Sequence, residues 1–259
     1  LLEKRGGIIS FRDKAGKECV LRAPQLSLFR AHTDNDRGNQ TAIRQGVYHL
    51  ISRYSWQHEV KVAEQDGVTT LTYAYTNMML KDFEMTVVYT IRRDDEIDVT
   101  VNWPGVKDLP DMPALGLSFQ LDPRLDTVNY YGMGPMENYI DRRDGAYLGW
   151  HQYAVADGMT NYCKPQESGS RTGVQTFAVT DKDHHGVMIS GENLEVSCLP
   201  WTVEELQEML ATQERIERCV FQDMDFSALI EECGTARYFD CLFMGCTFSK
   251  PMRIQIDKS

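Results

Sequence analysis

Between Ile97 and Trp103 the chain alternates strictly between apolar and polar residues, a pattern that leaves few folds open. The apolar positions are Ile97, Val99, Val101 and Trp103, and the polar ones between them are Asp98, Thr100 and Asn102. A period of two places one set of side chains in a core and the other in water, as in a half-buried β-strand. The run 83–92 precedes this strand across the polar residues 93–96, so we predict an antiparallel hairpin.

Short β-rich runs broken by turn residues continue from residue 8 to about residue 200. Two further predicted hairpins join 7–11 to 19–22 and 59–63 to 68–75. The second turns at Asp66-Gly67, a dipeptide suited to the positive φ angles of a tight hairpin. Later strand-sized runs are 115–121, 128–131, 174–179, 187–190 and 194–199. We therefore predict an all-β, many-stranded antiparallel sandwich.

One short helix is predicted near residues 202–214. Thr202 and Glu205 have the spacing of a capping box, and the apolar residues that follow fall on one helical face. We expect this helix to close the β-rich part, so that residues 1–212 form one large domain. All-β sandwiches of roughly that size routinely fold as one domain.

Charge and cysteine content argue against several classes of function. The 27 Lys and Arg against 38 Asp and Glu give a net charge of −11, with no basic stripe for nucleic acid. No apolar run approaches the ~18–20 residues of a membrane span. The seven cysteines form no zinc pattern, and we expect them to be reduced and structural. The amino-terminal residues suggest a chain cut from a longer one. The compartment stays open, with the cytoplasm favoured over the periplasm.

A first polar segment, Phe29–Asn39, contains the candidate binding residues His32, Asp34, Asn35, Asp36 and Arg37. Carboxylate, amide and guanidinium groups bind sugar hydroxyls, but Asp and Asn also satisfy the backbone of their own loop. We expect a mobile loop in which Asp34 and Asp36 serve the loop itself. Arg37 and the chain beyond Gly38 then serve a ligand pocket.

A second polar segment, Tyr130–Arg143, follows a strand and contains two glycines and a proline that set a tight path. Glu137, Asp141 and Arg142 could face a polar ligand. The alternative is an Arg–carboxylate pair that pins a crossing loop, for which bidentate geometry is well suited. We favour the structural alternative at this point.

Both segments match signatures of a known family. The run Leu28–Gly38 resembles the Arg-Ala-Pro-Thr-Asp-Asn-Asp signature that opens the last domain of family-two β-galactosidases, with His32 where proline is usual. The run Tyr131–Arg142 resembles the Gly-x-Gly-Pro-x-Glu-Asn-Tyr-x-Asp-Arg signature of that domain. The segment Tyr162–Gly169 also fits, and the resemblance covers residues 1–212.

The resemblance implies a supersandwich of the galactose-mutarotase type that leans over the mouth of a catalytic barrel. It places the segment 33–46 near the galactose pocket. Substrate contacts are then expected from His32, Asp34, Asn35, Asp36, Arg37, Glu137 and Asn138. The two catalytic carboxylates and the magnesium ligands belong to the barrel, so no catalytic residue, metal or cofactor is assigned to this chain. The implied partners are a galactoside, the rest of the β-galactosidase chain and, in an oligomer, further copies.

The tail 213–259 departs from the family, which normally places a tryptophan in the galactose site there. Trp201 is the last tryptophan of this chain. The tail faintly resembles pentapeptide-repeat rungs, so it forms either closing strands or an unrelated fused segment.

Two other functions stay open: a pure carbohydrate-binding scaffold, and a stand-alone sugar mutarotase or epimerase. The epimerase needs an acid–base pair. The available groups are His32, His151, His184, His185, Glu137 and Asp141. His184 and His185 are expected to lie in a hairpin turn instead.

Overall fold

In a computed structural model of the chain, strands pair almost entirely antiparallel. The residues described are 2–3, 7–78, 80–93, 96–160, 162 and 166–201, with four three-residue strands in the tail. The prediction of an all-β antiparallel sandwich is confirmed. The helix predicted at 202–214 lies outside the described residues. No helix in the described part of the chain is both long and apolar enough to cross a membrane.

The described domain has twelve strands and two α-helices. The strands are β1 (Leu2–Glu3), β2 (Gly7–Ile8), β3 (Val20–Ser27), β4 (Ser55–Gln65), β5 (Val68–Asn77), β6 (Leu80–Arg93), β7 (Glu96–Asn102), β8 (Gly116–Leu121), β9 (Thr127–Gly134), β10 (Tyr147–Ala154), β11 (Arg171–Thr180) and β12 (Gly186–Val196). The helices are α1 (Asp34–Gly38) and α2 (Thr41–Tyr54), and a 3-10 turn covers Val155–Asp157.

The first sheet has the order β4-β5-β6-β7 and contains two of the predicted hairpins. Asp66 and Gly67 join β4 to β5 with φ angles of 53° and 76°, as expected for a primed turn. Strand β7 pairs with β6 along its length, and Ile97, Val101 and Trp103 pack towards the core. Val99 is an exception and is 45% exposed.

The second sheet has the order β10-β9-β11-β12. Strand β9 alternates buried and half-buried side chains along its length, so one face lies on the core and the other faces outward. The predicted strands 187–190 and 194–199 are largely one strand, β12, with a register shift near Val174 of its partner. Strand β10 was not predicted. His184, with φ 61°, lies in a hairpin turn as expected.

Strands β3 and β8 form a two-stranded ribbon that contributes to both hydrophobic cores. Leu26 of β3 and Leu117 of β8 pack in the core of the first sheet, and Leu121 of β8 packs in the core of the second together with Cys19, which directly precedes β3. The turn 13–17 exists as predicted, closed by an Arg12–Glu18 bridge. However, β3 pairs with β8 instead of continuing a hairpin with residues 7–11, and β2 pairs with β1.

The prediction that the polar segment Phe29–Asn39 is a loop is wrong for residues 34–38, which form helix α1, and helix α2 follows from Thr41. Helix α1 begins at a capping box made by Thr33 and Asp36, which satisfies two otherwise unpaired N–H groups. Helix α2 buries Tyr48 and Ile51, which are 2% and 1% exposed. These two side chains join the first core beside Val47, and burial of that face stabilises the helix.

The tail strands pair differently from the rest of the protein. Arg215–Glu217 pairs in parallel with Arg237–Phe239, and Val220–Gln222 pairs in parallel with Leu242–Met244. The proposed domain boundary at 212 stays a prediction.

Candidate functional site

Asp36 holds the start of α1 in place. Its Oδ2 accepts the Thr33 backbone N–H at 2.8 Å and the Thr33 hydroxyl at 2.9 Å. The Arg30 guanidinium lies 2.6 Å from the same oxygen. Burial opposes ionisation of Asp36, but the hydrogen bonds from Arg30 and Thr33 keep its pKa below the ordinary value. Asp36 therefore stabilises its own segment, as the sequence indicated.

Residues 166 and 167 form hydrogen bonds to the backbone just before α1 and at its first residue. The Gln166 side-chain oxygen accepts the Asp34 N–H at 2.9 Å, and Glu167 Oε2 accepts the Ala31 N–H at 2.8 Å. The Glu167 N–H donates to the His32 carbonyl at 3.4 Å. Two segments more than 130 residues apart in the chain thus form one unit.

Glu167 and His32 lie in an environment that disfavours charge. Burial raises the pKa of Glu167 to about 7, although Arg30 opposes this shift. Glu195 and Glu137 add to the shift, because a nearby negative charge disfavours a second one. Burial also lowers the pKa of His32. The His32 Nε2 atom is buried without a hydrogen-bond partner among the described residues.

Glu137 has a buried carboxylate with protein donors on both oxygens. It is 3% exposed. One oxygen accepts from the Tyr162 hydroxyl and, at 3.0 Å, from Arg142 Nη1. The other accepts from the Ser168 hydroxyl at 3.0 Å and the Gly169 N–H at 2.7 Å. The Arg–carboxylate pair expected in this segment is therefore present between Arg142 and Glu137, and the Asp141 side chain is exposed.

Asn138 is satisfied within the protein in the same way. It is 1% exposed, and its amide nitrogen donates to the carbonyls of Met133 and Met136 at 2.8 and 3.2 Å. Its Oδ1 accepts the Thr172 N–H at 3.1 Å and also the Thr172 hydroxyl. The amide therefore holds the path of the loop that follows β9, where the Gly134–Pro135 peptide bond is cis.

Residues 166–172 form hydrogen bonds to both polar segments and so join them. Among the candidate residues, Asp34 and Asn35 are exposed, and His32, Asp36 and Arg37 are half-buried. Glu137 and Asn138 are buried. Substrate contact by any of them stays a prediction. The roles of Tyr162, Glu167 and Ser168 were not predicted, although the segment Tyr162–Gly169 had been recognised as a motif.

Among the residues that the structure describes, the hydrogen-bond partners of Glu137 are the four groups named above, and none of them is a histidine. His151 is 8% exposed and packs against Tyr130, with ring centroids 5.2 Å apart. Its Nε2 lies 3.2 Å from the Tyr147 carbonyl oxygen.

One group of side chains has the composition of a cation site. The ligand atoms of Asp13, Asp181 and His185 lie within 4.8 Å of one another. However, the Arg124 guanidinium lies 2.9 Å from Asp13 Oδ2 and 2.8 Å from Asp181 Oδ2. A guanidinium already supplies the positive charge that two carboxylates require, so we assign no ion to this cluster.

Fold and site together define an antiparallel β domain whose polar loops are fastened to one another by buried side chains. The family model described as "Beta galactosidase small chain" matches residues 1–226. The chain belongs to this family.

Comparison with curated proteins agrees. A "Beta-galactosidase" of Streptococcus thermophilus is 33% identical over 194 residues, 74% of this chain and 19% of that protein. One of Clostridium acetobutylicum is 36% identical over 150 residues, 58% of this chain and 17% of that protein. The "Beta-galactosidase small subunit" of Latilactobacillus sakei is 30% identical over 236 residues, 78% of this chain and 73% of that protein. The chain spans about a fifth of the length of most of the curated relatives it matches.

Proposed function

We propose that this chain is a non-catalytic part of a β-galactosidase that hydrolyses terminal β-galactosides, and that it helps to shape the sugar-binding pocket. Under this proposal the two catalytic carboxylates and the magnesium of the enzyme lie in the remaining polypeptide. The proposal extends the family membership, which by itself identifies a small-chain domain.

The observation that carries the proposal is the attachment of the start of α1 to residues 166 and 167 by hydrogen bonds. Glu167 and Gln166 hold the backbone N–H groups of Ala31 and Asp34. The Asn35 side chain is exposed, and that of Arg37 is half-buried. A binding segment needs a fixed backbone, since positioning its polar groups in advance lowers the entropic cost of binding. We therefore assign Asn35 and Arg37 to the pocket and Glu137 and Asn138 to its support.

The test is to introduce Asn35→Ala and Arg37→Ala separately into the assembled enzyme and to measure hydrolysis of an aryl β-galactoside. A lost hydrogen bond from a charged group to the sugar should raise KM about tenfold for Arg37→Ala, with a smaller rise for Asn35→Ala. Asn102→Ala is the control, because this amide is exposed on β7 in the first sheet. Unchanged KM and kcat in both variants, with folding intact, would show that α1 does not contribute to the pocket.

A second test concerns the whole domain. The remaining polypeptide should hydrolyse the aryl β-galactoside only when this chain is present. This chain alone should show no turnover above background, because hydrolysis requires two carboxylates held close together and both belong to the barrel. Turnover by the purified chain alone that disappears on mutation of one of its own carboxylates would refute the non-catalytic role.

A further inference from the structure

In the first half of the loop between β9 and β10, residues 136–140, the usual distribution of side chains is inverted, whereas residues 141–144 are charged and exposed. In that first half the polar residues Glu137 and Asn138 are 3% and 1% exposed, and the apolar residues Met136 and Ile140 are 62% and 86% exposed. Single exposed apolar residues are ordinary on protein surfaces, but buried polar groups beside exposed large apolar ones are informative. The arrangement suits a loop whose outer side is covered by another surface.

Strand β10, which follows this loop directly and is the edge strand of the second sheet, exposes further apolar side chains. Leu148 and Trp150 lie on its outward face and are 50% and 70% exposed. The Trp150 ring packs beside Tyr131 of β9, with centroids 5.4 Å apart. We call the exposed set the apolar edge. It consists of Met136, Ile140, Leu148 and Trp150.

The apolar edge is held in its shape by the polar side chains beneath it. Arg142, Tyr162 and Ser168 bind the Glu137 carboxylate, and Asn138 bonds to Met133 and Met136. The loop therefore cannot turn Met136 inward without breaking buried hydrogen bonds, which costs more than the exposed apolar area gains. A surface fixed in this way loses little conformational entropy when a partner covers it.

We propose that the apolar edge is the surface on which the remaining polypeptide of the β-galactosidase packs. This proposal rests on the proposed function. The Streptococcus thermophilus relative has about four-fifths of its length outside the matched region, and the Latilactobacillus sakei relative is a subunit by name. A domain of either kind needs a stable contact with the rest of its enzyme, and apolar, aromatic residues are typical of the cores of such contacts.

Two other occupants fit the apolar edge less well. A second copy of the chain would bring a second net charge of −11 into contact, and like charges oppose association. A sugar needs several directional polar groups near an aromatic ring. Glu137 and Asn138, the polar residues next to Met136, point inward, where protein donors and acceptors already satisfy them.

The test measures thiol labelling in the assembled enzyme. Ile140→Cys and Trp150→Cys each place a thiol on the apolar edge, and Met78→Cys is the matched control, since Met78 is 82% exposed on the first-sheet side. Peptide mapping by mass spectrometry separates these thiols from the native cysteines. If the edge is covered, its two thiols should react about a hundredfold more slowly than the control, and unfolding in urea should remove the difference.

Three outcomes would overturn the proposal. Labelling rates within about threefold of the control would show an uncovered edge. Protection that disappears on dilution, with activity retained, would identify a second copy as the occupant. Protection that appears only with saturating galactose would identify a sugar. Failure of the proposed function is recognised separately, because the remaining polypeptide would then be active without this chain.

Discussion

Replacing Glu167 by glutamine removes a buried ionisable group but keeps an oxygen that can accept the Ala31 N–H. In the native protein this bond is 2.8 Å long and anchors the backbone just before α1. Burial raises the pKa of Glu167 to about 7, with Arg30 opposing the shift and Glu195 and Glu137 adding to it. The folded protein therefore binds a proton on Glu167 more tightly than the unfolded chain does.

The sign and size of the effect follow from this difference. Between about pH 4.5 and about pH 7 the folded state holds more protons at Glu167 than the unfolded state, so the free energy of unfolding falls as pH rises through that window. At about 1.4 kcal/mol for each tenfold change in proton affinity, the loss is at most about 3 kcal/mol. The side chain is partly exposed, and solvent screening lowers our expectation to about 2 kcal/mol.

We expect the stability of Glu167→Gln relative to wild type to increase by about 2 kcal/mol between pH 5 and pH 8. Urea unfolding followed by tryptophan fluorescence at several pH values measures this difference. Burial lowers the pKa of His32, so His32 makes the free energy of unfolding rise with pH. His32 is present in wild type and variant alike, and its contribution therefore largely cancels in their difference. Glu64→Gln, at an exposed position of β4, is the control. A difference between Glu167→Gln and wild type that is equal at pH 5 and pH 8 would refute the argument.

Three further changes test the supports of the site. Arg142→Ala removes one donor from the buried Glu137 carboxylate and should cost about 1–3 kcal/mol, seen as a lower melting temperature; an unchanged temperature would mean that the pair contributes nothing to stability. Gly134→Ala places a Cβ against the Tyr130 hydroxyl and should reduce the yield of folded protein, whereas normal yield would show that β9 can shift. Asp36→Ala removes a capping box and should destabilise α1 by about 1–2 kcal/mol, read as faster amide exchange confined to this helix; unchanged exchange would refute it.

Local signals predicted the two hairpins of the first sheet correctly, whereas the hairpin predicted between 7–11 and 19–22 is wrong because β3 pairs with β8. The Asp66-Gly67 turn needs only two adjacent residues that tolerate positive φ, and alternation marks the strands on either side. Strand β10 has no such signal, because Gly149, His151 and Gln152 interrupt its apolar residues. It is a strand because it pairs with β9 along its whole length, which is a contact the sequence does not reveal.

Helix α2 was missed for a related reason. Its N-cap residue Gln40 has φ 56° and makes no side-chain cap, and Gly46 lies inside the helix. Neither start signals nor helix propensity therefore mark it. Tyr48 and Ile51 stabilise it by packing in the first core, so the tertiary structure determines the local one.

The sequence motifs identified the segments of the site, but the roles of their residues became clear only from which side chains are buried. The sequence placed Glu137 and Asn138 beside possible ligands, yet it did not show that their polar atoms face inward. Glu167 was part of a recognised segment without a predicted role. Its importance comes from Ala31, which is 136 residues away in the chain, and no local pattern encodes such a distant partner.

The β3–β8 ribbon also determines the order in which a growing chain can fold. Val20 of β3 pairs with Leu121 of β8, and β3 has no other strand partner in the described sheets. During synthesis the first sheet can form before β8 is made. Until then β3 has no strand partner, and its apolar side chains stay exposed. Closing so long a loop is entropically costly and slow, and an unpaired apolar strand is prone to aggregate. Strand β3 should therefore stay without a strand partner until β8 has left the ribosome.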